Sequence, residues 1–93
     1  MLITNEYFEG KVKSISLTTS EGPATVGVME KGEYQFSTTK KEIMIVTSGR
    51  LKVKLPGKEK YKTIVKNRSF QVYENKTFDV IAEEECSYIC YYK

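Results

Sequence analysis

Apolar and polar residues alternate with a period of two along most of this 93-residue chain. Such alternation predicts β-strands with one face in a core and the other in water, because successive side chains of a strand point to opposite sides. Turn residues interrupt the pattern roughly every 6–12 residues, and no window keeps a helical period over three turns. The pattern therefore predicts an all-β domain.

The most apolar run, residues 43–46, lies in the stretch 33–49 and predicts a strand buried on both faces. About nine short strands in one domain indicate a small barrel or sandwich. The predicted strands cover residues 11–18, 24–29, two segments of 33–49, 51–55, 61–65, 69–73, 77–82 and 87–92, with a break at 21–23.

Length and charge limit the number of domains and the kinds of partner that this chain can have. A chain of 93 residues has room for one core, so residues 1–93 are predicted to form a single domain. The 15 Lys and Arg residues exceed the 12 Asp and Glu residues by three, and the two signs are interspersed. No basic stripe or nucleic-acid motif is present, so we expect no nucleic-acid partner. The mild positive charge suits a small anionic substrate such as phosphate.

Histidine is absent from the chain, which removes the commonest metal ligand and the commonest general base. Cys86 and Cys90 lie four residues apart in one predicted strand, about 13 Å from each other, and cannot form a disulfide there. We therefore expect two free thiols in the core, in a reducing cytoplasm. We also expect no membrane partner, since neither a signal peptide nor an apolar run of about 20 residues is present.

The spacing around Glu42 matches the first motif of the cupins, in which two histidines precede a glutamate and a glycine. Six residues separate Glu42 from Gly49, and the two histidine positions fall on Phe36 and Thr38. The carboxylate is therefore the one ligand type retained at this motif.

The second cupin motif can be placed from Asn67 by spacing alone. It consists of a glycine, a proline, a second glycine and a histidine, and these positions fall on Asn67, Tyr73, Asn75 and Phe78. Each characteristic residue is replaced. The two motifs together predict that the barrel is kept while the metal site is lost.

The chain resembles, over nearly its whole length, a family of small single-domain cupins that was first described as a domain of unknown function and later assigned as pyrimidine/purine nucleoside phosphorylases. This resemblance implies a cupin barrel (a double-stranded β-helix, or jelly roll), usually as a homodimer. It also implies cleavage of diverse nucleosides by inorganic phosphate to free base and ribose 1-phosphate, with no cofactor. The matching segments are NEYFEGKVKSI (5–15), ATVGVM (24–29), GEYQFST (32–38), EIMIVTSGRLKVKLPG (42–57), SFQV (69–72) and SYICYY (87–92).

Two residues depart from the family pattern. Asn67 stands where related sequences usually have glycine, and Tyr73 where they usually have proline. Both changes fall in loops near the predicted barrel mouth, so they leave the fold prediction intact and leave the substrate range open.

Three residues are predicted to carry the chemistry. Glu42 is the only acidic side chain predicted to point into the barrel from the core sheet, where it would bind ribose hydroxyls or stabilise developing positive charge. A structural Glu42 paired with a lysine or tyrosine is the alternative. Ser37 and Thr38 offer hydroxyls to phosphate or ribose, and otherwise serve as surface or cross-strand partners.

Aromatic side chains are predicted to hold the base. By alternation Phe36, Met44 and Phe78 share the inward face with Thr38 and Glu42. Phe36 and Phe78 suit either a stacking wall for a nucleobase or plain core packing. Further candidates of the same kind are Tyr34, Tyr73, Tyr88 and Tyr91.

Phosphate binding requires a cation, and Arg50 and Arg68 are the only guanidiniums in the chain. Both sit in or beside predicted turns, where pointing into solvent is the alternative. Lysines or backbone N–H groups at the mouth would serve in their place.

Three functional classes fit a histidine-free cupin to different degrees. The leading hypothesis is a metal-independent nucleoside phosphorylase. The second is a non-enzymatic cupin that binds a small ligand or serves as an interaction module. A metal-dependent oxygenase or isomerase is disfavoured, because Glu42 alone cannot hold iron or manganese tightly.

Overall fold

A computed structural model describes all of residues 1–93 and shows ten β-strands and no helix. The all-β prediction is thereby confirmed. The chain has no helix long and apolar enough to cross a bilayer. The strands are β1 (Ile3–Tyr7), β2 (Val12–Thr19), β3 (Gly22–Met29), β4 (Gly32–Ser37), β5 (Glu42–Ser48), β6 (Arg50–Lys54), β7 (Lys62–Val65), β8 (Ser69–Val72), β9 (Thr77–Ala82) and β10 (Cys86–Tyr92).

The strands form two antiparallel sheets that face each other as a jelly roll. The six-stranded sheet has the order β1-β2-β3-β10-β5-β8, and the four-stranded sheet has the order β4-β9-β6-β7. Alternate residues of both sheets point inward, as the period-two pattern predicts, and build one core. Leu51 and Val53 of β6 and Val46 of β5 lie at its centre.

The N-terminal strand β1 is the tenth element, which the sequence pattern missed. Its residues are mostly exposed and show no apolar alternation. Polar contacts hold it instead, because the Asn5 side-chain amide donates hydrogen bonds to the hydroxyls of Ser14 (3.2 Å) and Ser16 (3.0 Å) on β2. The predicted break at 21–23 is also too long, since β3 begins at Gly22 and Pro23 pairs with Thr18.

Strand β5 is buried on one face only, so the prediction of two buried faces is wrong. Met44 and Val46 point into the core and are buried, whereas Ile43 and Ile45 point outward and are half-buried. No further layer covers the outer face of this sheet, and that is why its apolar residues remain accessible.

The outer faces of the two sheets differ in character. The six-stranded sheet exposes an apolar face made of Ile15 (42% exposed), Leu17 (37%), Val26 (44%) and Val28 (55%). The four-stranded sheet presents charged residues, including the ion pairs Lys52–Glu83 and Lys54–Asp79 at 3.4 Å each. An antiparallel sheet normally turns polar residues toward water, so the six-stranded sheet departs from the rule.

Two turns bear directly on the cupin spacing. Asn67 and Asn75 both have left-handed backbones, with φ of 69° and 58°. Glycine adopts this conformation most readily, and asparagine is among the few other residues that tolerate it. The two positions where the second cupin motif has glycine therefore keep the backbone that the motif requires.

Both cysteines point into the core from β10, are buried and are unpaired. The prediction of free core thiols is confirmed.

Candidate active site

A pocket of about 180 Å³ lies between the two sheets, at the end of the barrel where β5 begins. Tyr7 and Ser37 are its only exposed lining residues and therefore mark its mouth. Seven of the ten lining residues are hydrophobic, which is typical of sites that bind small organic molecules. The lining residues are Tyr7, Ser14, Phe36, Ser37, Glu42, Met44, Phe78, Tyr88, Cys90 and Tyr92.

Glu42, the first residue of β5, places the only carboxyl group in this pocket. Its side chain makes no ion pair with a lysine or arginine. The Cys90 thiol donates a hydrogen bond to its Oε1 at 3.4 Å. Burial raises the pKa of Glu42, and the thiol hydrogen bond offsets part of that rise. The negative charge of the carboxylate is thus balanced only by one thiol hydrogen bond. Any positive charge that develops nearby will therefore interact with it strongly.

The wall contributed by β10 consists of Tyr88, Cys90 and Tyr92, which alternate toward the pocket. Burial raises the pKa of all three groups, and the neighbouring Glu42 carboxylate raises them further. They therefore stay protonated and neutral at physiological pH. The Tyr92 hydroxyl also shares a hydrogen bond with the Thr25 hydroxyl at 3.0 Å, which fixes its ring.

The opposite wall is aromatic. The rings of Phe36 on β4 and Phe78 on β9 are stacked, with centroids 5.6 Å apart and planes inclined by 27°. Phe70 packs edge-on behind Phe78 at 5.9 Å, and Met44 lies beside them. Two of the positions that carry histidine in metal-binding cupins thus meet here as an apolar surface.

Thr38 does not line the pocket, although it stands at another of these positions. Its hydroxyl donates to the carbonyl oxygens of Tyr73 (2.7 Å) and Lys76 (3.3 Å) and accepts from the Lys76 amide (3.0 Å). These bonds tie the end of β4 to the turn between β8 and β9. The neighbouring Ser37 hydroxyl stays at the mouth, 3.3 Å from that of Thr77.

Of the four further tyrosines singled out by sequence, Tyr88 lines the pocket, whereas Tyr34, Tyr73 and Tyr91 do not. Tyr34 is buried and donates its hydroxyl proton to the Glu30 carbonyl oxygen at 2.7 Å. Tyr73 is 57% exposed, and the Lys41 ammonium lies 5.3 Å from its ring centre.

Both arginines lie away from the pocket. Arg50 begins β6, just beyond the Ser48 end of β5, whereas Glu42 is at the other end of that strand, roughly 20 Å away. Arg68 is held beside Val46 of β5, whose amide donates to its carbonyl oxygen at 3.0 Å. Both are exposed, and neither lines the cavity.

Several lining residues went unrecognised in the sequence. Tyr7 belongs to the strand that the pattern missed, and Ser14 faces inward on β2 at a position that looks polar. Cys90 and Tyr92 share a face with Tyr88 by simple alternation. That signal was available, since a core position for Cys90 puts Tyr88 and Tyr92 on the same inward face of β10.

The side chains do not fit the metal centre of a cupin. No group of three or more His, Cys, Asp or Glu side chains lies close enough together to hold a metal ion. Of the four ligand positions, only Glu42 retains a metal-binding side chain, because the others carry Phe36, Thr38 and Phe78.

Comparison with known proteins places this arrangement in a family. The sequence profile of a family described as pyrimidine/purine nucleoside phosphorylase matches residues 2–92. A protein of Cellvibrio japonicus named pyrimidine/purine nucleoside phosphorylase is 50% identical over 93 residues, which cover all of both chains.

Solved structures share the fold of this chain. A protein of unknown function from Vibrio parahaemolyticus superposes with a TM-score of 0.93 at 36% identity, covering 97% of this chain and 96% of the other. An RmlC-like cupin from Shewanella frigidimarina superposes with a TM-score of 0.74 at 20% identity, covering 91% and 78%, and confirms the cupin fold. The chain belongs to the pyrimidine/purine nucleoside phosphorylase family.

Proposed function

We propose that this protein cleaves both purine and pyrimidine nucleosides with inorganic phosphate, releasing the free base and ribose 1-phosphate. Family membership and the names of its relatives support a nucleoside phosphorylase. The observation that carries the proposal is the pocket itself, which sets one weakly compensated carboxyl group against a stacked aromatic wall. A metal or other cofactor has no role in the proposed reaction.

The reaction transfers the ribosyl group from the base to phosphate. A phosphate oxygen forms a bond with the anomeric carbon, while the bond from that carbon to the base nitrogen breaks and its electron pair leaves with the base. The hydrogen phosphate gives up one proton and the base takes up one proton, both by exchange with solvent. The sugar passes through a state with positive charge on the ring, and we propose that the Glu42 carboxylate stabilises this charge.

Recognition of the base is proposed to depend on stacking. The rings of Phe36 and Phe78 offer an apolar face, and every nucleobase has a π-face while the hydrogen-bonding edges differ. A pocket that binds the π-face of a base, and not its hydrogen-bonding edge, accepts purines and pyrimidines alike. Met44 completes the same surface and adapts to different ring shapes.

Phosphate is proposed to bind at the mouth, because ligand sites usually measure about 300–1,000 Å³ and this cavity of about 180 Å³ cannot enclose a nucleoside and an anion together. Ser37 offers a hydroxyl there. Lys40, exposed between Thr38 and Glu42 in the β4–β5 connection, is the proposed cation in place of Arg50 or Arg68. Thr38 is proposed to position this segment.

The activity test uses uridine and adenosine separately, each with and without phosphate, and detects base and ribose 1-phosphate by chromatography. We expect both nucleosides to be cleaved only when phosphate is present, and protein dialysed against a chelator to retain its activity. Absence of phosphate-dependent base release would contradict the proposed function. Loss of activity that added metal restores would contradict metal independence.

We also propose that the protein is a homodimer, formed through the apolar face of the six-stranded sheet (Ile15, Leu17, Val26 and Val28). A stable interface buries about 800 Å² per partner, which is the scale of one face of a six-stranded sheet with strands about 4.8 Å apart. Sheet faces of like shape pack on their own copies about a twofold axis.

The free thiols of Cys86 and Cys90 support a reducing cytoplasm as the proposed location.

Val26→Glu is expected to convert the dimer to a monomer. Val26 lies between Ile15 and Ile89 in the middle of this face, so a charge there would be buried against a second copy. Val65→Glu is the matched control, since Val65 is similarly exposed (48%) on the outer face of the other sheet. Light scattering after gel filtration measures both masses. A monomeric wild type would contradict the proposed interface. A dimer that persists in Val26→Glu would contradict it as well.

A further inference from the structure

The turn that joins β1 to β2 has an unusual backbone. Phe8, Glu9 and Gly10 adopt left-handed conformations in succession, with φ of 52°, 58° and 85°. Two hydrogen bonds close the turn, from the Gly10 amide to the Tyr7 carbonyl oxygen and from the Lys11 amide to the Phe8 carbonyl oxygen, at 3.2 Å each. A left-handed residue other than glycine costs about 1–2 kcal/mol, so this turn persists only because contacts elsewhere compensate it.

Those contacts reach across to the other sheet. The Phe8 ring lies 5.0 Å from that of Tyr34 and 5.4 Å, edge-on, from that of Phe36, both on β4. The strands β1 and β4 are edge strands of their respective sheets. The left-handed turn therefore carries the Phe8 ring across the gap between the sheet edges. Tyr7, the last residue of β1, lies directly before this turn and lines the pocket mouth.

Tyr7 and Phe8 are unusually accessible for aromatic residues that make such contacts. Tyr7 is 50% exposed and lines the pocket opposite Ser37, while Phe8 is 41% exposed and packs on the pocket-lining Phe36. Neither is needed to fill the core, whose buried members are other residues. A strained backbone that holds exposed rings beside a pocket mouth indicates a binding role for those rings.

We propose that Tyr7 and Phe8 form the outer wall of the nucleoside pocket, with Tyr7 in contact with the nucleobase and Phe8 positioning Phe36. This inference rests on the proposed function. The cavity of about 180 Å³ holds only part of a nucleoside, so a base that stacks on Phe36 extends to the mouth and meets Tyr7. A two-ring purine extends further than a one-ring pyrimidine. Tyr7 is thereby a specificity-determining residue that favours purine nucleosides.

Steady-state kinetics of Tyr7→Ala tests the contact. We expect KM for adenosine to rise about tenfold, as for loss of one stacking partner, and KM for uridine to rise less, with kcat little changed for either. Tyr7→Phe should retain the wild-type values, since stacking needs the ring and not the hydroxyl. Tyr61→Ala, which removes a comparably exposed tyrosine (41%) outside this pocket, is the control and should change neither substrate's KM.

A binding measurement separates this inference from the proposed function. The chain has no tryptophan, so Phe8→Trp creates a single fluorescent reporter at the mouth, and Tyr61→Trp creates one elsewhere. Adenosine without phosphate should change the emission of the first variant and not of the second. A response of Phe8→Trp without any phosphorolysis by the wild type would support the wall and overturn the proposed function. Wild-type phosphorolysis with unchanged KM values in Tyr7→Ala and no response of Phe8→Trp would overturn the wall alone.

Discussion

Replacement of Glu42 by glutamine is expected to lower kcat by about 100-fold or more while making the folded protein more stable at neutral pH. The loss follows from the proposed role of the carboxylate, since removal of one group that stabilises transition-state charge costs about 100- to 1,000-fold. Glutamine keeps the size of the side chain and its capacity to accept a hydrogen bond from the Cys90 thiol, so the charge is the principal difference.

The gain in stability follows from the pKa of Glu42, which burial raises above its ordinary value. A carboxyl group whose pKa is raised in the folded state favours folding in its neutral form, and this contribution is lost as the pH rises through the folded-state pKa. At pH 7 the folded protein therefore carries the cost of a poorly solvated charge. Glutamine, which does not titrate, avoids that cost.

Melting curves and initial rates measured across pH test both halves of this prediction. Glu42→Gln should melt higher than wild type at pH 7, and the difference should vanish near pH 3.5, below the usual pKa of a glutamate. Wild-type kcat/KM should rise with pH through the raised pKa of Glu42. Glu33→Gln, which neutralises an exposed carboxylate on β4, is the control and should change neither quantity. A lower melting temperature for Glu42→Gln at pH 7 would show that the charge is well compensated.

Replacement of Gly27 by alanine is expected to reduce the free energy of unfolding by about 2 kcal/mol and to distort the pocket. Gly27 is buried on the inward face of β3 and pairs with Tyr88 of β10. A Cβ atom at Gly27 would overlap the Tyr88 phenol. The Tyr88 ring would have to swing into the cavity that it lines, so both stability and nucleoside affinity should fall. For a domain of this length the loss corresponds to a drop in melting temperature on the order of 10 °C.

The control for this variant is Gly57→Ala. Gly57 has a left-handed backbone (φ 77°), but no atom lies within 4 Å of the position of its Cβ. Alanine there should cost stability through the backbone alone and leave nucleoside affinity unchanged. Combining Gly27→Ala with Tyr88→Val should recover part of the lost stability, since the overlap disappears. Additive losses in the double variant would contradict a steric cause.

The sequence was sufficient for the fold because the period-two pattern and the turn residues act locally. Nine of the ten strands follow from alternation, and the cupin spacing was supported by Asn67 and Asn75, whose left-handed backbones occupy the motif's glycine positions. Strand β1 escaped because it is held by hydrogen bonds from Asn5 and by pairing with β2, and neither of these leaves an apolar pattern.

The pocket could be predicted only in part from the sequence. The unpredicted part depends on contacts between segments that are distant in the chain. Glu42, Phe36 and Phe78 come together as the motif implies. The hydroxyl of Thr38 is instead occupied by backbone groups of the β8–β9 turn. A strand pattern gives the side on which a residue lies, but it does not reveal which loop takes up its hydrogen bonds.

The positions of the two arginines along the strands could not be predicted from the sequence either. Arg50 and Arg68 were singled out by residue type, and residue type says nothing about which end of a barrel a side chain occupies. The register of β5 with β8 shows that Arg68 lies beside Val46, four residues along β5 from Glu42. Arg50 follows the Ser48 end of the same strand, still farther from Glu42.

The left-handed turn at Phe8–Gly10 also has a consequence for the order of folding. Hairpins between neighbouring strands usually form early, because their ends are close in sequence. The β1–β2 hairpin has an unfavourable left-handed turn, which is stabilised only when the Phe8 ring contacts Tyr34 and Phe36 on the opposite sheet. We therefore expect β1 to dock after the two sheets have packed and to open before the rest of the barrel. The mouth of the pocket would then lie at the least cooperative part of the molecule, where a substrate can enter while the core stays folded.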